Sequence, residues 1–265
     1  MSTWVLLRGL TREAGHWGAF PALLQAHLPA GDRVISIDLP GNGHLNGECS
    51  PARIGAYVDH CRRQLHALGV ALPVHVLAMS LGAMVTADWA VRHPEELAGC
   101  VLVNTSLRPF SPWYRRLRPA NYGPLLGVVR PGSDPRARER TILRLTTRHP
   151  ADAAGTVDAW TALREARPVS GANALRQLWA AMRYRAPAEA PAVPMLVLSS
   201  RRDGLVDMRC SQRVAQAWRM PIALHPTAGH DLPLDDGPWV AEQVARWAAA
   251  LTCGRPPDAA RCPSA

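Results

Sequence analysis

One stretch constrains the fold more than any other: Val74-His75-Val76-Leu77-Ala78-Met79-Ser80-Leu81-Gly82-Ala83-Met84, an apolar run that breaks at Ser80 and resumes as a helix-compatible segment. It reads as a buried strand, a sharp turn and the start of a helix, with Ser80 at the apex. Ala78 and Gly82 are small, so strand and helix can approach closely while the serine is held in a strained conformation. Its hydroxyl then faces a cleft, and the backbone N–H of Leu81 points to the same spot from the helix N-terminus. An ordinary serine in a strand-to-helix turn would look the same locally, so partners elsewhere in the chain decide between the two readings.

The alternation of strand and helix extends on both sides of this turn. Val5-Leu6-Leu7 is a short β-prone run that ends in the turn signal Arg8-Gly9-Leu10-Thr11. Residues 17–28 place Phe20, Leu23, Leu24 and Leu28 at helical spacing, residues 33–39 form the next strand, and Pro40-Gly41-Asn42-Gly43-His44 is too rich in glycine for either element. Ser50-Pro51 reads as the N-cap and first position of a helix to Leu68, and His93-Pro94 closes the helix that follows Ser80. Residues 100–104 are again strand-like. Strands that are apolar on both sides and separated by helices imply an α/β fold, a mostly parallel sheet covered by helices on both faces.

From 106 to 190 the alternation stops. Helical patterns near residues 122–129, 135–148, 156–167 and 173–184 are joined by Pro and Gly, which predicts an all-helical cap inserted into a core made of residues 1–105 and 191–251. The strand pattern returns at residues 195–199, followed by a helix over 208–218, a strand over 222–225, a loop holding Gly229-His230-Asp231, and a last helix over 239–251. The tail, 252–265, with Gly254, Pro256, Pro257 and Pro263, is expected to be disordered.

Charge separates the same two parts. The chain carries +9, and all 30 of its basic residues are arginine. Between Ser106 and Ala190 fifteen arginines stand against six acidic residues; outside that segment there are fifteen of each, so the excess belongs to the insertion. Arg136, Arg140, Arg144 and Arg148 recur at i, i+4 with Ile142 and Leu145 opposite. Like charges at that spacing cost a helix a few tenths of a kcal/mol per pair. The stripe is either a solvated face or a landing surface for an acidic partner, such as an acyl carrier protein or an acidic membrane surface. Without interleaved aromatics it does not suit nucleic acid. Six scattered cysteines with no C-x-x-C pair suggest neither a zinc site nor a disulfide framework. No apolar run approaches the roughly 20 residues of a transmembrane segment. The first residues lack a basic region and cleavage site, so a cytoplasmic location is expected.

A serine hydroxyl becomes a good nucleophile only when a base takes its proton, and the base needs an orienting carboxylate. Asp203, in Arg201-Arg202-Asp203-Gly204, and His230, in Ala228-Gly229-His230-Asp231, both follow predicted strands, where parallel α/β sheets place their ligands. Asp207 competes for the acid role but stands just before a helix and reads as an N-cap. His225 lies within a strand, His16 and Trp17 are candidates for a pocket wall, and Asp231, Asp235 and Asp236 are expected to cap the last helix.

With Ser80, Asp203 and His230 in this order, the chain resembles α/β-hydrolase-fold proteins with a helical cap, similar to small bacterial carboxylesterases and pimeloyl-acyl-carrier-protein methyl esterases. The resemblance rests on Asp38-Leu39-Pro40-Gly41-Asn42-Gly43, the turn around Ser80, His93-Pro94, Asp203-Gly204-Leu205-Val206 and Gly229-His230, and it spans residues 4–251. It implies a nucleophile at Ser80, a base at His230, an acid at Asp203, and an oxyanion hole formed by the backbone N–H groups of Leu10 and Leu81. It also implies no metal and no organic cofactor. The substrate expected is a carboxylic ester or thioester with a mainly apolar acyl group. An acyltransferase or thioesterase acting on a carrier-bound acyl group is the alternative, and a non-catalytic binding protein on the same scaffold is a third reading. One position departs from the pattern: Arg8-Gly9 stands where the family has His-Gly. Arg8 either braces the loop or faces the cleft and binds an anionic group of the substrate.

Overall fold

A computed structural model describes residues 1–129 and 132–252. Its strands are β1 (Thr3–Leu7), β2 (Arg33–Ser36), β3 (Val74–Met79), β4 (Leu97–Val103), β5 (Met195–Ser200) and β6 (Ile222–His225). They form one 6-stranded sheet in the order β2-β1-β3-β4-β5-β6, with every neighbouring pair parallel. The helices, in chain order, are α1 (Phe20–His27), α2 (Ile54–Ala67), α3 (Leu81–Arg92), α4 (Trp113–Arg116), α5 (Tyr122–Val129), α6 (Pro135–Thr146), α7 (Ala153–Ala166), α8 (Gly171–Arg183), α9 (Arg209–Ala217), α10 (Leu232–Asp235) and α11 (Gly237–Thr252). Among the described residues none of them is long and apolar enough to cross a membrane.

Strand periodicity builds two cores, one on each face of the sheet. Trp4, Leu6, Leu77, Val101, Leu196 and Leu198 point to one side, where Phe20 and Leu24 of α1 and Val240, Val244 and Trp247 of α11 cover them. Val5, Leu7, Val76 and Leu102 point to the other, beneath Tyr57, Val58 and Leu65 of α2 and Val85 and Trp89 of α3. Residues adjacent in the chain therefore pack into opposite cores, as the alternation of Cβ directions requires.

Between β4 and β5 the described residues contain α4 to α8 and no named strand. Several element boundaries differ from the sequence expectation. Ser50 does not cap α2, which begins at Ile54 behind Arg53. The Ser50 hydroxyl instead donates to the Pro40 carbonyl at 2.8 Å, and its N–H donates to Asn173 Oδ1 at 2.9 Å, so a loop contact has taken the capping serine. Strand β2 stops at Ser36, although Ile37 N still donates to Leu6 O at 3.3 Å. Helix α6 ends at Thr146 because the Arg148 N–H turns to the Asp235 carboxylate. Beyond Thr252, which closes α11, the tail lies outside the described residues.

Candidate active site

In a parallel sheet every strand delivers its C-terminal end to the same edge, so Arg8, Ser80, Asn104, Asp203 and His230 all follow strands that finish there. Ser80 has φ 53° and ψ −112°, a left-handed backbone that costs a non-glycine residue on the order of 1–3 kcal/mol. Its N–H donates to Val103 O at 3.1 Å, and its carbonyl accepts from Ala83 N at 3.1 Å, so sheet and helix together hold the turn. Gly82 shows why the helix must start small, since a Cβ there would lie 2.7 Å from both the Leu7 and the Arg8 carbonyl oxygens. Gly9 plays the matching part on the other wall: a Cβ there would lie 3.2 Å from Ser80 Cβ. Two glycines thus let the β1 loop, with Leu10 next in sequence, lie directly beside the serine, and Leu81 is the first residue of α3.

His230 Nδ1 is 2.7 Å from Asp203 Oδ2, and both side chains are buried. Asp203 Oδ1 accepts the N–H groups of Leu205 at 2.8 Å and Val206 at 2.9 Å, so each carboxylate oxygen has a fixed task. Burial opposes charge on His230, yet the adjacent Asp203 carboxylate outweighs it and holds the imidazole above its usual pKa. Asp207 is engaged elsewhere: hydrogen bonding from Arg209 holds its carboxyl down at about 2, and its Oδ1 accepts the Arg209 N–H. Asn104, read from sequence only as a strand end, ties the histidine loop in place. Its Nδ2 donates to the carbonyls of His230 at 2.8 Å and Gly229 at 3.2 Å, while Oδ1 accepts the Ser200 N–H at 2.9 Å. Its φ of 44° is the signal of this role, and sequence does not display it.

Arg8 forms a buried fork with Asp231, with Nη1 to Oδ1 at 3.1 Å and Nη2 to Oδ2 at 2.6 Å, and lies 4.7 Å over the Trp17 ring. Both terminal nitrogens are therefore occupied by the residue that follows His230. Asp231, expected to cap a helix, makes no capping bond with its side chain; Asp235 instead gathers the N–H groups of Gly229, Arg148 and His149. Asp236 does cap α11, accepting the Trp239 N–H at 3.0 Å, and also faces His225 Nε2 at 3.1 Å. Trp17 lies in the core under α1.

His16 belongs to an ionic cluster that the sequence did not announce. Glu139 of α6, fully buried, accepts from Arg12 at 2.7 Å and from Arg164 of α7; Arg12 also contacts His16 Nε2 at 2.7 Å and lies 4.2 Å over the Trp160 ring. Burial, reinforced by Arg12, drives His16 well below its ordinary pKa, so this imidazole is neutral beside the guanidinium, and its Nδ1 accepts the Glu13 N–H at 3.2 Å. Beside it Arg167 Nε donates to Glu13 Oε1 at 3.0 Å. From the other side Gln177 of α8 accepts the Thr11 N–H at 2.8 Å and donates to Asn42 Oδ1 at 2.7 Å, while Asn42 Nδ2 donates to Arg12 O at 3.1 Å. The loop that carries Leu10 is thus held by the cap on two sides. His93, Glu95 and Glu96 could share a cation, but they lie at the far end of α3 from Ser80, and Glu96 already accepts from Arg62 and the Trp89 indole.

A family description, "Serine aminopeptidase, S33", matches residues 5–236. The chain belongs to this α/β-hydrolase family. The hydrolase is 30% identical over 251 residues to a pimeloyl-acyl-carrier-protein methyl ester esterase of Aromatoleum aromaticum, a match covering 91% of this chain and 88% of the relative. Its fold is shared with a thermophilic esterase from Thermogutta terrifontis at a TM-score of 0.72 and 19% identity, covering 95% of this chain and 90% of that one. It is likewise shared with esterase RhEst1 from Rhodococcus sp. ECU1013 at a TM-score of 0.72 and 21% identity, covering 94% and 91%. The membership agrees with the resemblance read from Ser80, Asp203 and His230.

Proposed function

We propose that this α/β-hydrolase cleaves a carboxylic ester or thioester with a mainly apolar acyl group through Ser80, His230 and Asp203. The carrying observation is the buried 2.7 Å contact between His230 Nδ1 and Asp203 Oδ2 at the sheet edge where Ser80 stands on its strained turn. Asp203 fixes the tautomer that leaves Nε2 free to take the Ser80 proton as the oxygen attacks the carbonyl carbon. The negative charge formed on the carbonyl oxygen is received by the N–H groups of Leu10 and Leu81, each such donor being worth about 3 kcal/mol. The imidazolium then protonates the leaving oxygen or sulfur. Water, activated by the same imidazole, releases the acid and restores Ser80.

Arg8 acts as a brace, since Asp231 already takes its fork. A carrier-bound acyl substrate is a second reading, favoured by the exposure of Arg140 and Arg144 on α6 and by the carrier named for the Aromatoleum relative.

A fluorophosphonate probe should label Ser80 in the folded protein, and Ser80→Ala should abolish both labelling and hydrolysis across nitrophenyl esters of rising chain length. Asp203→Asn should lower kcat by about four orders of magnitude. An unlabelled serine in active protein would sink the reading. Reversing the charges at Arg140 and Arg144 should weaken turnover of a carrier-bound substrate and spare a small ester; equal effects on both would remove the carrier reading.

A further inference from the structure

Helix α8 is turned inside out. A helix on a water-soluble core ordinarily buries its apolar stripe, but α8 buries Asn173 and Gln177 together with Ala180 and Ala181. Leu175, Leu178, Trp179 and Met182, at i, i+3, i+4 and i+7, face outward and are 67%, 38%, 50% and 53% exposed. The amides fix this orientation. Gln177 bonds Thr11, Asn42 and Ser50, and Asn173 bonds the backbone of Ser50 and Glu48, so the helix cannot roll its apolar stripe inward without breaking all of these contacts. Four large apolar side chains on one face of a helix are more than the scattered exposure of an ordinary surface.

The chain segments that carry and adjoin the ridge have one sign. Residues 106–133 and 166–188 contain many arginines and no Asp or Glu. The two stretches are joined in space: Arg116 Nη2 donates to Ala181 O at 2.7 Å, and Ala186 N donates to Arg108 O at 2.7 Å. Arg176, Arg183 and Arg185 are exposed around the ridge, and the Arg183 guanidinium lies 5.4 Å over the Trp179 ring. Next to it α4 exposes Trp113 by 67% and Tyr114 by 47%.

The geometry points to α8 as the face with which this protein docks on an anionic lipid surface, Leu175, Leu178, Trp179 and Met182 entering the interfacial layer and Arg176, Arg183 and Arg185 meeting headgroup phosphates. An outward Leu/Trp/Met stripe bordered by arginine is the pattern of helices that lie in a membrane interface. A second copy fits less well, because a two-fold contact across this ridge would set the exposed arginines of α8 against one another. A folded acidic carrier would find charge on α6, which exposes Arg140 and Arg144 and no large apolar side chain of its own. The proposal stands apart from the hydrolytic chemistry, since it concerns where the protein sits and not what Ser80 does.

The test is co-sedimentation of the full chain with vesicles of phosphatidylcholine containing phosphatidylglycerol, beside vesicles of phosphatidylcholine alone. Binding to the anionic vesicles alone, weakened by salt, is expected. The doubly substituted Leu178→Ser, Trp179→Ser chain should lose roughly tenfold or more of that affinity, while hydrolysing a soluble short-chain ester as the wild type does, which shows that it is folded. Separately, Arg176→Glu with Arg183→Glu should abolish binding. Failure of the wild type to bind anionic vesicles overturns the proposal, as does equal binding by the Leu178, Trp179 variant. Wild-type dimers that the same variant dissociates, or an acidic carrier protein captured in place of lipid, would assign the face to another partner and overturn it as well. Loss of ester hydrolysis by Ser80→Ala with vesicle binding intact would leave both readings standing separately.

Discussion

The two halves of the cap grip the same loop by opposite chemistry. On one side α6 and the end of α7 hold Arg12 and Glu13 with ion pairs, one centred on buried Glu139 and one on part-buried Arg167; on the other α8 holds the Thr11 N–H and Asn42 with the neutral amide of Gln177. The first grip needs acids, and nearly all the acidic residues of the insertion lie in that half: Asp134, Glu139, Asp152, Asp158 and Glu165. The second needs none, which leaves α8 free to carry arginine and apolar side chains outward. The loop between them bears Leu10, so the position of one proposed oxyanion donor depends on how the cap sits and not on the sheet alone.

The sharpest way to separate the grips is Glu139→Gln. It leaves Arg12 buried with no counter-charge, and breaking a buried pair from one side costs about 3–5 kcal/mol. Burial already depresses the Arg12 pKa, and Glu139 is the group that opposes this. Urea unfolding at unchanged slope should show the loss. A displaced loop should also lower kcat/KM for a small ester, by as much as about 100-fold for a shift near 1 Å. A destabilisation under about 1 kcal/mol would mean that the charged grip is no firmer than the neutral one.

Gln177→Leu should cost less, about 1–3 kcal/mol, because it strands the Thr11 N–H and Asn42 Oδ1 but no charge. Its effect should hardly change with added salt. Placed beside Glu139→Gln in a salt series, it tests whether the two halves differ in kind or only in size.

What could be read from sequence follows the same division. The placement of Ser80, Asp203 and His230 at one edge was legible because each sits where a buried strand ends, and strand ends of a parallel sheet converge whatever the loops do. Glu139 was not. It stands between Arg138 and Arg140 in what reads as a charged, solvated helix, and only its phase with Leu143, four residues on, hints that it faces inward. The partner of Arg8 lies 223 residues away at Asp231, so no local pattern could announce it. Ser50 beside Pro51 carried a capping signal that a tertiary contact overrode, and α8 is amphipathic in sequence but with the faces reversed. Local rules find elements; they do not say which polar side chain the fold will choose to bury.

The pH dependence offers a finer cut. In the proposed reaction His230 must be neutral to act as a base, and against the burial that opposes its charge Asp203, with Asp231 adding to it, raises its pKa. Activity should therefore fall as pH drops through that raised value. The linked stability runs the other way: the raised pKa contributes stability that is fully present below the unfolded value and is lost as pH rises through the folded one. Both Glu139→Gln and Gln177→Leu should lower kcat/KM without moving its inflection, because neither touches the Asp203–His230 pair. An inflection displaced by either variant would show that the cap governs the base as well as the loop, and the two halves would no longer be separable by their grip on residues 10–13.

The smallest effect belongs to the outer side of α8. Leu178→Ser with Trp179→Ser removes exposed apolar surface and leaves Asn173, Gln177 and Ala180 beneath untouched, so the unfolding free energy should stay within about 0.5 kcal/mol of wild type. Serine lowers helix propensity slightly relative to leucine, while the lost Trp179–Arg183 contact is worth little at an exposed site. A loss above about 2 kcal/mol in dilute monomeric protein would mean that these side chains pack within their own chain. The neutral half of the cap would then be held from outside as well as inside, and its freedom to carry an apolar face would disappear with the comparison itself.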